Sequence, residues 1–204
     1  MTDKGSLIVI SAPSGTGKGA ILDDFNSKYF DDKIIYSVSA TTRSPRPGEQ
    51  EGVNYYYISK EDFQSKISNG GFLEYAEFCD NFYGTPKDAV MNALNSGIDV
   101  ILEIETVGAQ KVKQNYPDAV MIFVLPPSVE ELEARLRGRG TETEESLIKR
   151  LETAKKELLL APNYDYVIVN DIVEDASYKL NLIIKSQRLK TKNNKNTITE
   201  VLKK

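Results

Sequence analysis

The segment from Ser11 to Lys18 combines glycines, hydroxyl groups and a lysine at the spacing of a loop that binds phosphate. It follows the apolar run 7–10, which is typical of a buried strand, and precedes an amphipathic stretch that is typical of a helix. Glycines let backbone N–H groups converge without Cβ clashes, and a helix N-terminus adds unpaired donors and positive partial charge. Lys18 supplies a full charge, so the segment predicts a site for the outer phosphates of a ligand.

The spacing matches the Walker A pattern G-x-x-x-x-G-K-[ST] at Gly17 and Lys18, with two departures. Ala12 stands where the first glycine is expected, which is a minor change if its φ stays negative. Gly19 and Ala20 stand where a hydroxyl normally ligates Mg²⁺. The alternative is a glycine-rich turn with an exposed lysine, but strand, turn, lysine and helix follow in the order that phosphate binding requires.

A second basic segment, residues 39–49, carries Arg43 and Arg46 in a loop that contains two prolines. A stiff loop lowers the entropy cost of presenting two forked donors to one anion. Tyr55 and Tyr83 could add phenolic hydroxyls. Taken alone, the segment could equally be a solvated basic loop.

Two sets of acidic residues complete the candidate chemistry. Glu74, with Thr85, could read an N–H/NH₂ edge, which guanine has and adenine lacks, although Glu74 alone could be an exposed strand residue. Glu103 and Glu105 end an apolar run, where a carboxylate at a Walker B position would hold Mg²⁺ directly or through water. Strand periodicity predicts that these two share a face; the alternative is an acid that caps a neighbouring loop.

The elements that must position these residues predict an α/β fold with a parallel sheet. Buried strands are expected at 7–10, 100–104, 120–125 and 166–169, with a fifth at 34–38. Helices are expected at 17–29, 106–115, 128–137, 142–160 and 175–189. The core would comprise 1–38 and 97–190, and a tail, 191–204, is expected to fray.

Residues 39–96 interrupt this alternation and predict a small mixed α+β insertion, with antiparallel strands at 55–58 and 72–78 and a helix at 60–68. Within the core, residues 128–150 predict a helical lid, because S/T-x-x-E patterns at Ser128 and Thr141 mark two helix starts around a glycine-containing bend. Arg135 and Arg139 lie one turn apart and should project from the same side.

Composition narrows the class of protein. The chain has 204 residues, of which 40% are hydrophobic and 27% charged, and these values are ordinary for one globular domain. Its formal net charge of −4 argues against a dedicated nucleic-acid binder. One cysteine and no histidine exclude a disulfide framework, Ser-His-Asp or Cys-His catalysis and histidine-ligated metals. No apolar run is long enough to span a membrane and no signal peptide is expected, so we expect a cytoplasmic protein.

Together these motifs resemble the guanylate kinase family over nearly the whole chain. The resemblance is carried by A-P-S-G-T-G-K-G, S-x-T-T-R-x-x-R-x-G-E with its following G-x-x-Y, N-F-Y-G-T, the lid R-L-R-G-R-G-T-E-T-E-E with Arg150 beyond it, and V-I-V-N-D. It implies a P-loop kinase core of five parallel strands flanked by helices, with a monophosphate-binding insertion and a lid. It also implies Mg²⁺-dependent transfer of the ATP γ-phosphoryl group to GMP by a monomer or homodimer.

The resemblance further implies three sets of site residues. Those that contact ATP are Ala12, Pro13, Ser14, Gly15, Thr16, Gly17, Lys18, Gly19, Arg139 and Asn170. Those that contact GMP are Ser39, Arg43, Arg46, Tyr55, Glu74, Tyr83, Thr85, Glu103 and Glu105. Those that gather on the transferring phosphoryl group are Lys18, Arg135, Arg139 and Arg150, while Glu103 holds Mg²⁺ through water.

The sequence departs from the family pattern at two acidic positions, and two other functions remain as alternatives. The family often has aspartates where this chain has Glu103 and Glu105, so the base contact and the approach to the metal could differ. A non-catalytic guanylate-kinase-like interaction domain is one alternative, although such modules typically have degraded phosphate loops. A related P-loop kinase of a sugar phosphate is another, against which Glu74 and Thr85 argue.

Overall fold

The computed structural model describes residues 3–78, 80–138 and 143–203. The strands in chain order are β1 (Leu7–Ser11), β2 (Ile34–Tyr36), β3 (Ala40–Thr41), β4 (Tyr56–Tyr57), β5 (Phe72–Phe78), β6 (Asn81–Pro86), β7 (Asp99–Glu103), β8 (Val120–Leu125) and β9 (Tyr166–Val169). The α-helices are α1 (Lys18–Lys28), α2 (Lys60–Ser68), α3 (Lys87–Asn95), α4 (Thr106–Asn115), α5 (Val129–Arg137), α6 (Glu144–Leu158), α7 (Val173–Arg188) and α8 (Lys195–Leu202). Short 3₁₀ turns lie at Ala161–Asn163 and Thr191–Asn193.

A five-stranded parallel sheet in the order β2-β7-β1-β8-β9 forms the centre of the molecule. Alternate residues of β1 enter two different hydrophobic clusters. Ile8 and Ile10 pack with side chains of α1 and α7, whereas Leu7 and Val9 pack with side chains of α3 and α4. The predicted parallel α/β core is confirmed, and β1 is buried on both faces, as its uninterrupted apolar run indicates.

The second sheet, in the order β4-β3-β6-β5, is mixed. Strands β3 and β5 pair antiparallel with β6, as expected for the insertion. Strand β4 instead pairs parallel with β3, because the loop 42–55 carries the chain back to the starting edge before β4 begins. Helix α2 closes this sheet with Phe63, whose ring stacks against Phe72 and Phe82 at centroid distances of 4.4 and 5.3 Å.

Helices α5 and α6, the predicted lid, share a small hydrophobic core of their own, in which Leu132 and Leu136 of α5 pack against residues of α6. Ser128 caps α5 as predicted, accepting a 3.1 Å hydrogen bond from the Glu131 N–H. The start of α6 was wrongly predicted, because its N-cap is Thr143, which accepts a 3.3 Å bond from a later backbone N–H. Thr141 and Arg139 lie outside the described residues.

The tail does not fray as expected, since residues 195–202 form α8. The carboxylate of Asp3 accepts hydrogen bonds from the Asn196 N–H at 2.8 Å and the Thr197 hydroxyl at 2.7 Å, in the first turn of this helix. Lys192 also pairs with Asp118 at 2.7 Å. Asp3 and Asp118 are far from the tail in sequence, so no local sequence pattern predicts that the tail packs against the core. In the described part of the chain, no helix combines the length and the apolar character needed to cross a membrane.

Candidate active site

The phosphate loop connects the end of β1 to the start of α1, and its backbone requires glycine at two positions. Gly15 and Gly17 have φ values of 91° and 83°, in the left-handed region that side chains disfavour. A Cβ on Gly17 would also lie 2.4 Å from Nδ2 of Asn170. Ala12 is buried and is not among the described residues with positive φ, so the chain accepts it in place of the first Walker A glycine.

Two predicted site residues contact the backbone of the loop. Asn170, which is 2% exposed, donates a 2.7 Å hydrogen bond from Nδ2 to the Thr16 carbonyl. Arg135 donates from Nη1 to the carbonyls of Asn170 at 3.1 Å and of Thr16 at 3.4 Å, while its Nε is held by Glu131. The Thr16 hydroxyl donates inside the loop to the Pro13 carbonyl at 3.0 Å. These bonds hold the loop backbone in a defined shape, which lowers the entropy cost of positioning a phosphate.

Lys18 opens α1 and faces the end of β7, where its Nζ lies 3.5 Å from Oε1 of Glu103. Strand periodicity does not apply between Glu103 and Glu105, since β7 ends at Glu103 and Glu105 is the N-cap of α4, so their common face stays a prediction. The Ile104 N–H still donates to the Ile10 carbonyl of β1 at 3.3 Å, and α4 begins two residues later. Glu105 therefore belongs to the start of the helix instead of the sheet.

A cavity of about 480 Å³ lies between Ser14 of the phosphate loop and helix α6. Arg150 crosses it, donating a hydrogen bond from Nη2 to the Ser14 hydroxyl. Its lining is otherwise polar and consists of Thr143, Glu145, Ser146, Lys149, Thr153 and Glu157. Gly19 is exposed beside the loop, with no atom near the position of an added Cβ. The cavity therefore borders the phosphate loop at Ser14, and Arg150 joins its two sides.

Glu49 organises the second basic cluster. Arg43 forms a bidentate ion pair with its carboxylate at 2.8 and 2.9 Å, and the Arg46 N–H and the Tyr57 hydroxyl donate to it at 2.7 and 2.9 Å. These bonds, that of Arg43 first, lower the pKa of Glu49 to about 2. The carboxylate thus stays ionised and holds the Arg43 fork in place.

Two tyrosines complete this cluster. The Arg43 guanidinium lies over the Tyr55 ring at 5.4 Å, and Tyr83 packs edge-on against Tyr55 with centroids 6.0 Å apart. The side chain of Arg46 is exposed. The roles of Glu49 and Tyr57 were not predicted, although Glu49 lies within the motif S-x-T-T-R-x-x-R-x-G-E.

Glu74 and Thr85 face each other across strands β5 and β6, and the Thr85 hydroxyl donates to Oε1 of Glu74 at 2.7 Å. Glu74 is 8% exposed, so it is not the outward-facing strand residue that sequence alone allowed. Tyr83 and Thr85 are two residues apart on β6 and share a face, so the Glu74–Thr85 pair lies on the same face as Tyr83 of the arginine cluster. Ser39, half-buried before β3, accepts the Tyr56 N–H at 2.8 Å through its carbonyl.

Burial shifts the ionisation of two carboxylates near the site. It raises the pKa of Glu74 above the ordinary glutamate value, against the opposing effects of the Thr85 hydrogen bond and the Lys111 charge. Burial also raises the pKa of Glu157, and the negative charge of Glu105 raises it further. The hydrogen bond that Glu157 accepts from the Thr106 hydroxyl at 3.2 Å opposes this shift. Glu157 gave no signal in the sequence, because it lies among many charged residues of α6.

Comparisons with known proteins agree with this arrangement. The family model described as Guanylate kinase matches residues 4–187. The chain is 50% identical over 200 residues to the guanylate kinase of Clostridioides difficile (strain 630), covering 98% of this chain and 97% of that protein. It is equally identical to the guanylate kinase of Clostridium acetobutylicum, at 98% and 94% coverage.

A solved structure, guanylate kinase from Anaplasma phagocytophilum, superposes with a TM-score of 0.69 at 34% identity, covering 94% of this chain and 90% of that one. The family match spans both the phosphate loop and the insertion with its buried Glu74. The chain therefore belongs to the guanylate kinase family.

Proposed function

We propose that this nucleoside monophosphate kinase transfers the γ-phosphoryl group of ATP to GMP, giving ADP and GDP. The observation that carries the choice of acceptor is the buried Glu74–Thr85 pair, on the same sheet as the Arg43 cluster. A carboxylate that accepts from an N–H/NH₂ edge suits guanine, and a forked guanidinium suits the phosphate attached to it.

In this proposal the insertion, 39–96, binds GMP. Arg43, Arg46, Tyr55 and Tyr83 hold the phosphate, with Glu49 keeping Arg43 in position. Glu74 and Thr85 read the base. Further contacts to GMP are proposed for Ser39, Glu103 and Glu105.

The core, 1–38 and 97–190, binds ATP in the phosphate loop, and the lid, about 128–150, closes over it. Lys18, Arg135, Arg139 and Arg150 gather on the transferring phosphoryl group, whose transition state spreads negative charge over its equatorial oxygens. Arg150 already reaches the loop through Ser14, and Arg135 reaches it through Thr16. Asn170 bonds to the Thr16 carbonyl of the loop, and we propose that it also contacts adenine. No general base is required, because the attacking GMP oxygen is already anionic.

The carboxylate of Glu103, which lies beside Lys18, fits a Mg²⁺ ion that arrives bound to ATP. No cluster of three or more acidic or sulfur ligands that could hold a metal occurs among the described residues. Mg²⁺ usually takes one or two carboxylates and keeps waters and substrate phosphates as its other ligands, so Glu103 is a sufficient protein contribution. When bound, the ion neutralises charge on the phosphates.

Replacing Glu103 with Gln is expected to raise the Mg²⁺ concentration needed for half-maximal rate and to lower kcat, by about 10-fold each, since second-shell partners of a metal typically contribute that much or more. Steady-state rates against free Mg²⁺ at saturating ATP and GMP would measure both. An unchanged Mg²⁺ dependence and rate would contradict a metal-holding role for Glu103.

The binding of GMP is expected to weaken as the pH falls through the pKa of Glu74. Reading guanine needs the carboxylate, and burial raises its pKa, so the loss should begin at a higher pH than for an ordinary glutamate. The GMP phosphate titrates too, with a second pKa of about 6, and a Glu74→Gln variant shares that effect. The kcat/KM of the wild type divided by that of Glu74→Gln should therefore decrease as the pH is lowered. A ratio that does not change with pH would contradict the role of the Glu74 carboxylate in reading guanine.

The acceptor is tested by a coupled assay of ADP release with ATP and Mg²⁺ against GMP, AMP, UMP, CMP and dTMP, with a control lacking acceptor. The proposal predicts strong turnover with GMP alone. A folded protein that binds GMP without turnover would instead be an interaction domain. Turnover with a sugar phosphate added as a further acceptor, and not with GMP, would favour a P-loop kinase of a sugar phosphate. A cytoplasmic location stays a proposal that the single cysteine favours.

A further inference from the structure

One face of α4 holds the backbone on both sides of Glu74. Gly108, Lys111 and Asn115 are spaced i, i+3 and i+7, so they lie on the same side of this helix, against β5. Lys111 donates from Nζ to the carbonyl of Tyr75 at 2.8 Å, and its ammonium lies 5.4 Å from the centre of the Tyr75 ring. Asn115 donates from Nδ2 to the carbonyl of Leu73 at 2.7 Å. Both neighbours of Glu74 are thereby tied to the core.

The strand itself is irregular at this point. Phe72 pairs with Pro86, but Glu74 pairs with Thr85, so the register shifts and Leu73 is the extra residue. Bulges of this kind redirect the side chains that follow them. The Leu73 side chain is 1% exposed and lies in the same hydrophobic cluster as Val112 of α4, so the bulge is anchored by packing as well as by Asn115.

Gly108 leaves space for the carboxylate. A Cβ at this position would lie 3.0 Å from Oε2 of Glu74 and 3.5 Å from its Cδ. The other oxygen, Oε1, accepts the Thr85 hydroxyl. The carboxylate therefore sits between the threonine and the bare backbone of the helix, and a methyl group on Gly108 would force it to move.

We propose that Gly108, Lys111 and Asn115 are positioning residues that aim the Glu74 carboxylate at guanine and so determine base selectivity without touching GMP. The inference rests on the proposed function. Two parallel hydrogen bonds from N1–H and the 2-amino group require close alignment, since hydrogen bonds weaken steeply when bent. A displacement of about 1 Å can cost about 100-fold in rate.

The first test compares Gly108→Ala with Val107→Ala, a control on an exposed position of the same helix. For Gly108→Ala we expect the KM for GMP to rise by about 10- to 100-fold, and kcat and the KM for ATP to change less than about 3-fold. The preference for GMP over IMP, which lacks the 2-amino group, should fall with it. Val107→Ala should match wild type in all four quantities.

The decisive test repeats Gly108→Ala in a Glu74→Ala background. If the glycine acts through the carboxylate, its effect on the KM for GMP should disappear there, because the two changes act on one interaction. An undiminished effect without the carboxylate, or an equal loss in the KM for ATP, would overturn the proposal.

Two further variants guard against a Gly108→Ala protein that does not fold. Asn115→Ala and Lys111→Met each remove one backbone tie and should each raise the KM for GMP several-fold, while Lys111→Arg keeps a donor and should restore it. If Asn115→Ala and Lys111→Met both keep normal selectivity for GMP while the wild type turns over GMP, the positioning inference is overturned and the proposed function stands. A wild type that does not phosphorylate GMP would overturn the proposed function as well.

Discussion

Lys18→Met is expected to lower kcat by about 10³-fold, because it removes a full positive charge from the transferring phosphoryl group, where single donors contribute about 10²- to 10³-fold. Met keeps most of the apolar stem, so packing changes little. The ion pair that is lost, with Glu103 at 3.5 Å, is partly exposed and stabilises the fold by at most about 1 kcal/mol. Steady-state rates with ATP and GMP would measure the effect.

Lys28→Met is the matched control for this change. Lys28 lies in the last turn of the same helix and pairs with Asp24 at 2.6 Å, away from the phosphate loop. The control should keep the wild-type rate, and both variants should keep the wild-type circular dichroism spectrum. A folded Lys18→Met protein that retains more than about a tenth of the rate would remove Lys18 from the catalytic set, since removal of one such donor costs at least about 100-fold elsewhere.

Glu74→Gln is expected to lower kcat/KM for GMP by about 10³-fold, a loss of about two charge-assisted hydrogen bonds. The Thr85 hydroxyl donates to Oε1 and would select the amide oxygen for that position. The amide NH₂ then replaces Oε2 and meets the donors of guanine. Sites that hydrogen-bond a substrate discriminate strongly when the pairing is lost. The loss should appear mainly in the KM for GMP.

The control is Glu77→Gln, an exposed glutamate on the same strand that pairs opposite Phe82. It should leave kcat/KM for every acceptor unchanged. The Glu74 variant should leave the KM for ATP unchanged and narrow the preference for GMP over AMP. An unaltered GMP preference in a folded Glu74→Gln protein would show that another residue reads the base.

The sequence predicts well where local pattern decides structure. Strand β1 is an unbroken apolar run, and the Ser128 cap has a glutamate three residues later, so both could be located without tertiary information. The phosphate loop is equally local, because its glycines are required by backbone conformation. Helix α3 was not predicted, since it lies within a segment that the strand and turn signals dominate.

Where distant segments meet, the sequence predicts poorly. Asp3 orders the tail from the other end of the chain, and Gly108 fits under Glu74 although neither carries a motif for that contact. Glu49 was visible as part of a motif, but its ion pair with Arg43 depends on the turn of the loop. Glu157 of α6 accepts the hydroxyl of Thr106 at the start of α4, a residue 51 positions away in the sequence. Such contacts depend on tertiary packing, which short-range periodicity does not encode.

The central claim is phosphoryl transfer from ATP to GMP, and the most direct measurement follows the phosphoryl group itself. The protein is incubated with γ-labelled ATP, Mg²⁺ and GMP, and the labelled products are separated by chromatography. The proposed function predicts label in GDP, formed in equal amount with ADP, and almost none of it in the Lys18→Met protein. Label that stays in ATP, or that appears only as inorganic phosphate, in a folded protein that binds GMP would contradict it.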